Sequence, residues 1–276
     1  MAGIPRRPPR LPSPRQQGGF ALLLVLWTMV LLSLIGSRIA ATGRTEAQLA
    51  ANIRDAAVTE AAADGAVQDA AFHLLAAPPR PWPAAGIEGS LVLPGVATTV
   101  RVESEEGRVN PNLASAELLG ALLRAAGSDT QSAAAVAAAI VEWRFPGASA
   151  GPAMRAYQAA GLAYGPPGAP FRNLGELAAV RGMTPALLAA LTPHLSLFAT
   201  GDPDAGDADP VVLAAMQAAT GRAPRPERGG APPSVVRVTA TAAGPNGTRF
   251  VRRAVLALNR QAAEPVRVLG WEAPGA

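Results

Sequence analysis

Gly18-Gly19-Phe20-Ala21-Leu22-Leu23-Leu24-Val25-Leu26-Trp27-Thr28-Met29-Val30-Leu31-Leu32-Ser33-Leu34-Ile35-Gly36 is the stretch on which the reading of the whole chain turns. No charged residue lies from Gln16 to Ser37, while Arg6, Arg7, Arg10 and Arg15 stand before the run. A secretory signal would have a shorter apolar core and a small-residue cut site behind it, a part that Ala40-Ala41-Thr42 could play. A plain membrane anchor needs about 20 apolar residues, and this run, at about 17 to 18, is near the lower limit. A third reading keeps the run in the mature protein as the start of a longer helix, because the sequence past Ser37 stays helix-forming instead of breaking.

The charge balance bears on the same question. The 276 residues carry a formal net charge of +4, and all 24 basic residues are arginine. Residues 1–19 hold four of them and no acid, so the remainder has as many arginines as carboxylates. The basic excess is therefore a topology signal that keeps the amino end cytoplasmic, and it does not point to nucleic acid. With no cysteine, disulfides and thiolate metal sites are excluded.

Outward from the run, Leu49, Ile53, Ala56, Ala63, Val67, Ala70 and Leu74 recur at helical spacings along one face. Pro78, Pro79, Pro81 and Pro83 stop the pattern, so one helix is expected from about Phe20 to Leu75, with Gly36 and Gly43 as places where it could break. Strands are expected at Ser90–Leu93 and Val96–Val102 around Pro94-Gly95. Helices follow at about 115–126, 130–144, 152–161, 173–180 and 184–191, with Asn112 or Ser115 as a first N-cap and Gly127, Gly161 and Gly182 at the stops. Residues 221–233 read as a loop. Val235–Thr241 and Arg249–Leu258 flank Pro245-Asn246-Gly247 as a hairpin, and Val266–Trp271 forms a last strand. Long helix, strands, helical block, strands: this order makes an α+β chain with a helical insertion.

Little in the chain suggests catalysis. Nucleophile-elbow, phosphate-loop, zinc-protease and dinucleotide motifs are all missing, and His73 and His194 stand alone. Glu103, Glu105 and Glu106 read as a solvated hairpin end. Val180-Arg181-Gly182-Met183 is the turn of a helix-hairpin-helix; only Arg172 and Arg181 lie near it, against Glu176, so a packing role is expected in place of phosphate binding. Asp202, Asp204, Asp207 and Asp209 are candidate calcium ligands by number, set against a flexible acidic loop with Asp209 capping the next helix.

Several of these stretches together resemble the minor pseudopilin K (GspK) family of the type II secretion system. They are the basic leader with Gly19-Phe20, Glu105-Glu106-Gly107-Arg108-Val109-Asn110-Pro111-Asn112 after a strand, Ile140-Val141-Glu142-Trp143-Arg144 ending a helix, and Ala169-Pro170-Phe171-Arg172-Asn173-Leu174-Gly175-Glu176-Leu177 leading into Val180–Met183. The resemblance covers about residues 15–260. It implies a pilin-like fold: a long N-terminal helix packed on a small antiparallel sheet, with a large all-helical, helix-hairpin-helix or SAM-like domain inserted between strands. It divides the chain into a leader (1–19), a transmembrane and assembly helix (20–77), a first β region (78–110), the helical insertion (111–220) and the closing strands (221–276).

The resemblance further implies cleavage between Gly19 and Phe20 by prepilin peptidase, N-methylation of Phe20, and a single-pass inner-membrane protein with its C-terminal domain in the periplasm. Its implied partners are pseudopilins I and J in a tip complex and the major pseudopilin; no nucleic acid is expected. Most pilin-like proteins carry Glu at the fifth mature position. Here it is Leu24, as suits a tip subunit with no neighbour above it, since an unpaired charge in lipid is costly. A second departure concerns calcium. The family's acidic residues beyond the helix-ending Trp are replaced by Arg144-Phe145-Pro146, with no further acid until Glu176, so that calcium site is expected to be degenerate. A minor pilin of a type IV pilus or competence system, and a membrane-anchored DNA-binding protein, are the other readings.

Overall fold

A computed structural model describes residues 18–76, 88–93, 95–145, 150–226 and 233–274. Helix α1 runs over Gly18–Leu75. Two strands follow, β1 (Glu88–Leu93) and β2 (Val96–Ser104), then the helices α2 (Ala116–Ala125), α3 (Thr130–Arg144), α4 (Ala150–Ala159), α5 (Pro185–Leu191) and α6 (Pro210–Thr220). Strands β3 (Val235–Ala243), β4 (Arg249–Leu258) and β5 (Val266–Glu272) close the chain. The segment expected as a helix at 173–180 is a 3-10 helix, Leu174–Ala179, capped by Asn173. Arg228 and residues 78–87 of the expected loop and β region lie outside the described residues, as do residues 1–17 of the leader.

The chain divides into two compact units, residues 1–55 and 56–276, with the division inside α1. In the first unit the described side chains of α1 from Phe20 to Arg54 are exposed, and it contains an 18-residue window of mean hydropathy 2.4 with none of it buried. It is the one helix among the described residues that is long and apolar enough to cross a membrane.

In the second unit the last turns of α1 are rich in small residues, which allow the backbone to approach a sheet closely. Ala62, Ala63, Ala66, Val67, Ala70 and Ala71 are buried there with Val100, Val238, Ala240, Ala254 and Leu256. The apolar face read from the sequence is thus buried at Ala63, Val67 and Ala70 and half-buried at Leu74, while Leu49 and Ile53 stay exposed at 59% and 62%. The sheet is fully antiparallel in the order β1-β2-β3-β4-β5. β2 shows why: its residues alternate buried and exposed from Val96 onward, the period of a strand with one covered face. At the β3–β4 turn, Asn246 takes φ 56° and Gly247 φ 77°, the left-handed region these two residue types tolerate best.

β2 and β3 are adjacent in the sheet but about 130 residues apart in sequence, and the helical block fills the excursion between them. Its core holds Leu118, Leu122, Ile140, Trp143, Tyr157, Phe171 and Leu177 among others, with Trp143 stacked on Phe171 at 5.8 Å between centroids. Ser115 caps α2, Asp129 caps α3 and Asp209 caps α6, each accepting from backbone N–H groups of the first turn.

Candidate assembly surfaces and the helical hairpin

Gly19 and Phe20 lie in the first turn of α1, and Phe20 and Leu24 are 74% and 53% exposed. The apolar residues that follow, Leu22 to Ile35, are exposed in the same way. Nothing among the described residues of the first unit covers them. Such a surface is stable only in lipid or against other apolar helices.

The two asparagines of Asn110-Pro111-Asn112 act as backbone clamps. Asn110, 4% exposed, donates through Nδ2 to the carbonyls of Leu197 (3.2 Å) and Ala199 (2.7 Å). Asn112 pairs with Phe171 in both directions, accepting from its N–H at 2.8 Å and donating to its C=O at 3.0 Å. Each amide thus ties the start of the helical block to a distant loop, Asn110 reinforcing the backbone bridge between Val109 and Leu195. Arg144, also buried, donates to the carbonyls of Pro111 (2.7 Å) and Ala114 (2.5 Å), and burial lowers its pKa. Arg144 is therefore a structural donor at this position.

In the hairpin, Val180 is buried and Gly182 has φ +86°, with Val136 close to where a Cβ would stand. The Arg181 N–H donates to the Tyr157 hydroxyl at 3.1 Å, and its guanidinium lies 3.6 Å from Glu142. Met183 packs against the core of the block. Burial raises the Tyr157 pKa, leaving its hydroxyl a neutral acceptor. The Arg181 N–H and guanidinium are thus directed toward Tyr157 and Glu142 of the helical block.

The four aspartates do not converge. Asp204 receives the Gly206 N–H on Oδ1 and, through its C=O, those of Asp207 and Ala208. Its own N–H donates to the Glu106 carbonyl at 2.8 Å. The loop is thereby fastened to the 105–108 turn, and a Cβ at Gly107 would overlap the Asp207 backbone. Asp209 accepts from Val211 and Val212 and lies 2.7 Å from Nδ1 of His194. Burial acts to raise the Asp209 pKa, but His194 and the two amides outweigh it and hold it below the ordinary value. Asp202 is exposed. Among the described residues no three His, Asp or Glu side chains are grouped as a metal site.

The carboxylate run corrects the reading of a solvated hairpin end. Glu105 is 0% exposed, with Oε1 2.6 Å from Arg237 Nε and 3.3 Å from Arg108 Nη1. Glu103 takes the other side of Arg108 at 3.3 Å, and Glu106 accepts from the N–H groups of Ser234 and Val235 and from the Ser234 hydroxyl. Burial lowers the Arg237 pKa, Glu105 opposes that, and Arg108 and Arg253 add to it. Glu103, Arg108, Arg237 and Arg253 border a cleft of about 870 Å³ lined also by His194, Asp207 and Asp209. The one signal in the sequence was Arg237 on the strand that returns beside β2, and only the β2–β3 register, Glu103 opposite Arg237, reveals it.

Residues 91–200 match the family model described as type II secretion system (T2SS), protein K, in its first domain. No curated protein matches the chain. The fold is similar to that of a chain in the crystal structure of the GspK-GspI-GspJ complex from the enterotoxigenic Escherichia coli type 2 secretion system. The similarity has a TM-score of 0.60 at 16% identity and covers 84% of this chain and 100% of that one.

Proposed function

From the premise that the chain belongs to the protein K family of the type II secretion system, through residues 91–200, we propose that it is the minor pseudopilin that caps the tip of the periplasmic pseudopilus. The observation that carries this reading is the helical block, most of which lies within the matched residues 91–200, inserted between β2 and β3 of a sheet that packs on a long N-terminal helix. A bulky insertion of this kind obstructs addition of a further subunit above it. The exposed apolar half of α1 serves as inner-membrane anchor before assembly and as a packing surface after it. Loss of charge at Leu24 removes an electrostatic demand that no neighbour above would meet.

In this reading prepilin peptidase cuts between Gly19 and Phe20 and methylates Phe20, the leader stays cytoplasmic, and the second unit is periplasmic. Pseudopilins I and J, named with the K protein in the complex whose fold is similar, are the partners, and the major pseudopilin lies below. The chain's role is to hold neighbours, and it thereby supports secretion across the outer membrane. Two measurements test it. Mass spectrometry of the protein from native membranes should give an N-methylated Phe20 start, and the mature chain should co-purify with pseudopilins I and J in detergent. An intact leader or a start near Thr42, together with no co-purification, would overturn the reading.

A further inference from the structure

The face of the sheet turned away from α1 carries more positive charge than its neighbours neutralise. On β4, Arg252, Ala254 and Leu256 face α1, so Arg253 and Val255 between them face the other way. In the β3–β4 register Arg237 stands opposite Val255 and Thr239 opposite Arg253. The two arginines are therefore diagonal neighbours on one face, within reach of each other as long side chains. Arg253 adds to the burial that lowers the Arg237 pKa. Arg237 meets Glu105 at 2.6 Å, but its buried Nε makes no hydrogen bond there. Arg253 is half-buried, and among the described residues it has no carboxylate within ion-pair distance. Glu272, opposite it on β5, stays exposed.

Arg237 and Arg253 border a second cleft, of about 260 Å³, together with Arg172, Ser196, Phe198 and Glu272. It lies where the sheet meets the helical block, and its donors outnumber its acceptors. Ser196, 1% exposed, accepts the Phe198 N–H on its oxygen at 3.0 Å, which leaves its own proton to donate. Arg172 brings a third guanidinium, also without an ion pair among the described residues. Against the three guanidiniums the lining holds one carboxylate, Glu272. Such an excess of donors and positive charge favours an anion. The volume falls below the range of ordinary small-molecule sites, about 300–1,000 Å³, so the guest is small. The guanidiniums come from three separate elements, which suits an oxyanion that accepts in several directions better than a planar carboxylate.

We propose that this cleft binds a small tetrahedral oxyanion of the phosphate or sulfate class, held by Arg237 and Arg253 together with Arg172 and the Ser196 hydroxyl. Arg237 and Arg253 belong to the sheet, Arg172 and Ser196 to the helical block. The anion thus relieves the repulsion between the first pair and fastens the inserted block to the sheet. The site goes beyond the minor-pseudopilin reading and does not depend on it.

The test uses the mature full chain in detergent, with inorganic phosphate as the probe and chloride at equal ionic strength as the reference. Phosphate at ten times its Kd should raise the melting temperature by about 3–6 °C. Because phosphate also stabilises proteins by exclusion from their surface, variants titrated by calorimetry decide the matter. Arg253→Met should weaken phosphate binding at least about 10-fold. It should keep the melting temperature in chloride, since it removes a repulsion and breaks no ion pair. Glu272→Gln takes away the competing negative charge and should tighten binding about 3–5-fold. Arg249→Met, exposed on the same strand and outside the cleft, should bind as the wild type does. An equal phosphate shift in the wild type and Arg253→Met overturns the site, as does an equal shift from acetate. A loss in Arg249→Met as large as in Arg253→Met overturns it too.

Discussion

Replacing Glu105 with Ala should be among the most damaging single changes in the second unit. The carboxylate is fully buried and lies within 2.6 Å of Arg237 and 3.3 Å of Arg108, whose side chains are 21% and 14% exposed. Its loss leaves two guanidiniums mostly out of water, with Arg253 adding to the repulsion on Arg237. Breaking a buried pair by removing one partner costs about 3–5 kcal/mol. Residual exposure of both arginines and the surviving Glu103–Arg108 contact place this case at about 3 kcal/mol. For a unit of this size each kcal/mol moves the melting temperature by about 2–4 °C, so a drop of about 6–12 °C is expected. The companion variant Glu105→Met/Arg237→Met removes both charges and should recover most of the loss, since apolar replacement of a whole buried pair is often neutral. Thermal unfolding followed by circular dichroism at fixed detergent concentration reads both. A loss under about 1 kcal/mol in the single variant, or a double variant as unstable as the two singles summed, would refute the reasoning.

Gly182→Ala should cost about 1–3 kcal/mol, because φ +86° strains any L side chain and Val136 crowds the new methyl; urea unfolding measures it. Asp209 has a lowered folded pKa, so its contribution is fully present above the ordinary carboxylate value and is lost as pH falls through the lowered one. Asp209→Asn, which keeps an acceptor for the Val211 and Val212 amides but not the charge facing His194, should therefore flatten that part of the acid limb of the stability–pH curve. Arg252→Met should remove the bonds to Glu60 and Asp64 and the stacking on Phe250 and Trp271, a loss of about 2 kcal/mol. Hydrogen exchange should then quicken at Ala62–Ala71 before it does in α2 or α3; equal rates in both places would contradict a role for Arg252 in holding α1 to the sheet.

The sequence by itself determined what short-range physics encodes. The charge-free run after four arginines, the alternation along β2, the Asn246-Gly247 turn and the caps at Ser115 and Asp209 each depend on residues within one element, whose period or φ/ψ requirement is local. Even the resemblance that pointed to the family rested on short stretches in a fixed order. Tertiary structure decided everything that required closing a chain of more than a hundred residues. Glu105 is buried only because β3 returns beside β2 carrying Arg237, and the 202–209 loop lies against the 105–108 turn only because Gly107 carries no Cβ. Leu49 and Ile53 have the same helical spacing as Val67 and Ala70, yet only the latter meet the sheet. Val268 and Trp271 share a face through a bulge that a period of two cannot foresee. Periodicity says which side of an element is apolar, but what that side meets is set by contacts between residues far apart in sequence, whose geometry exists only once the sheet has closed.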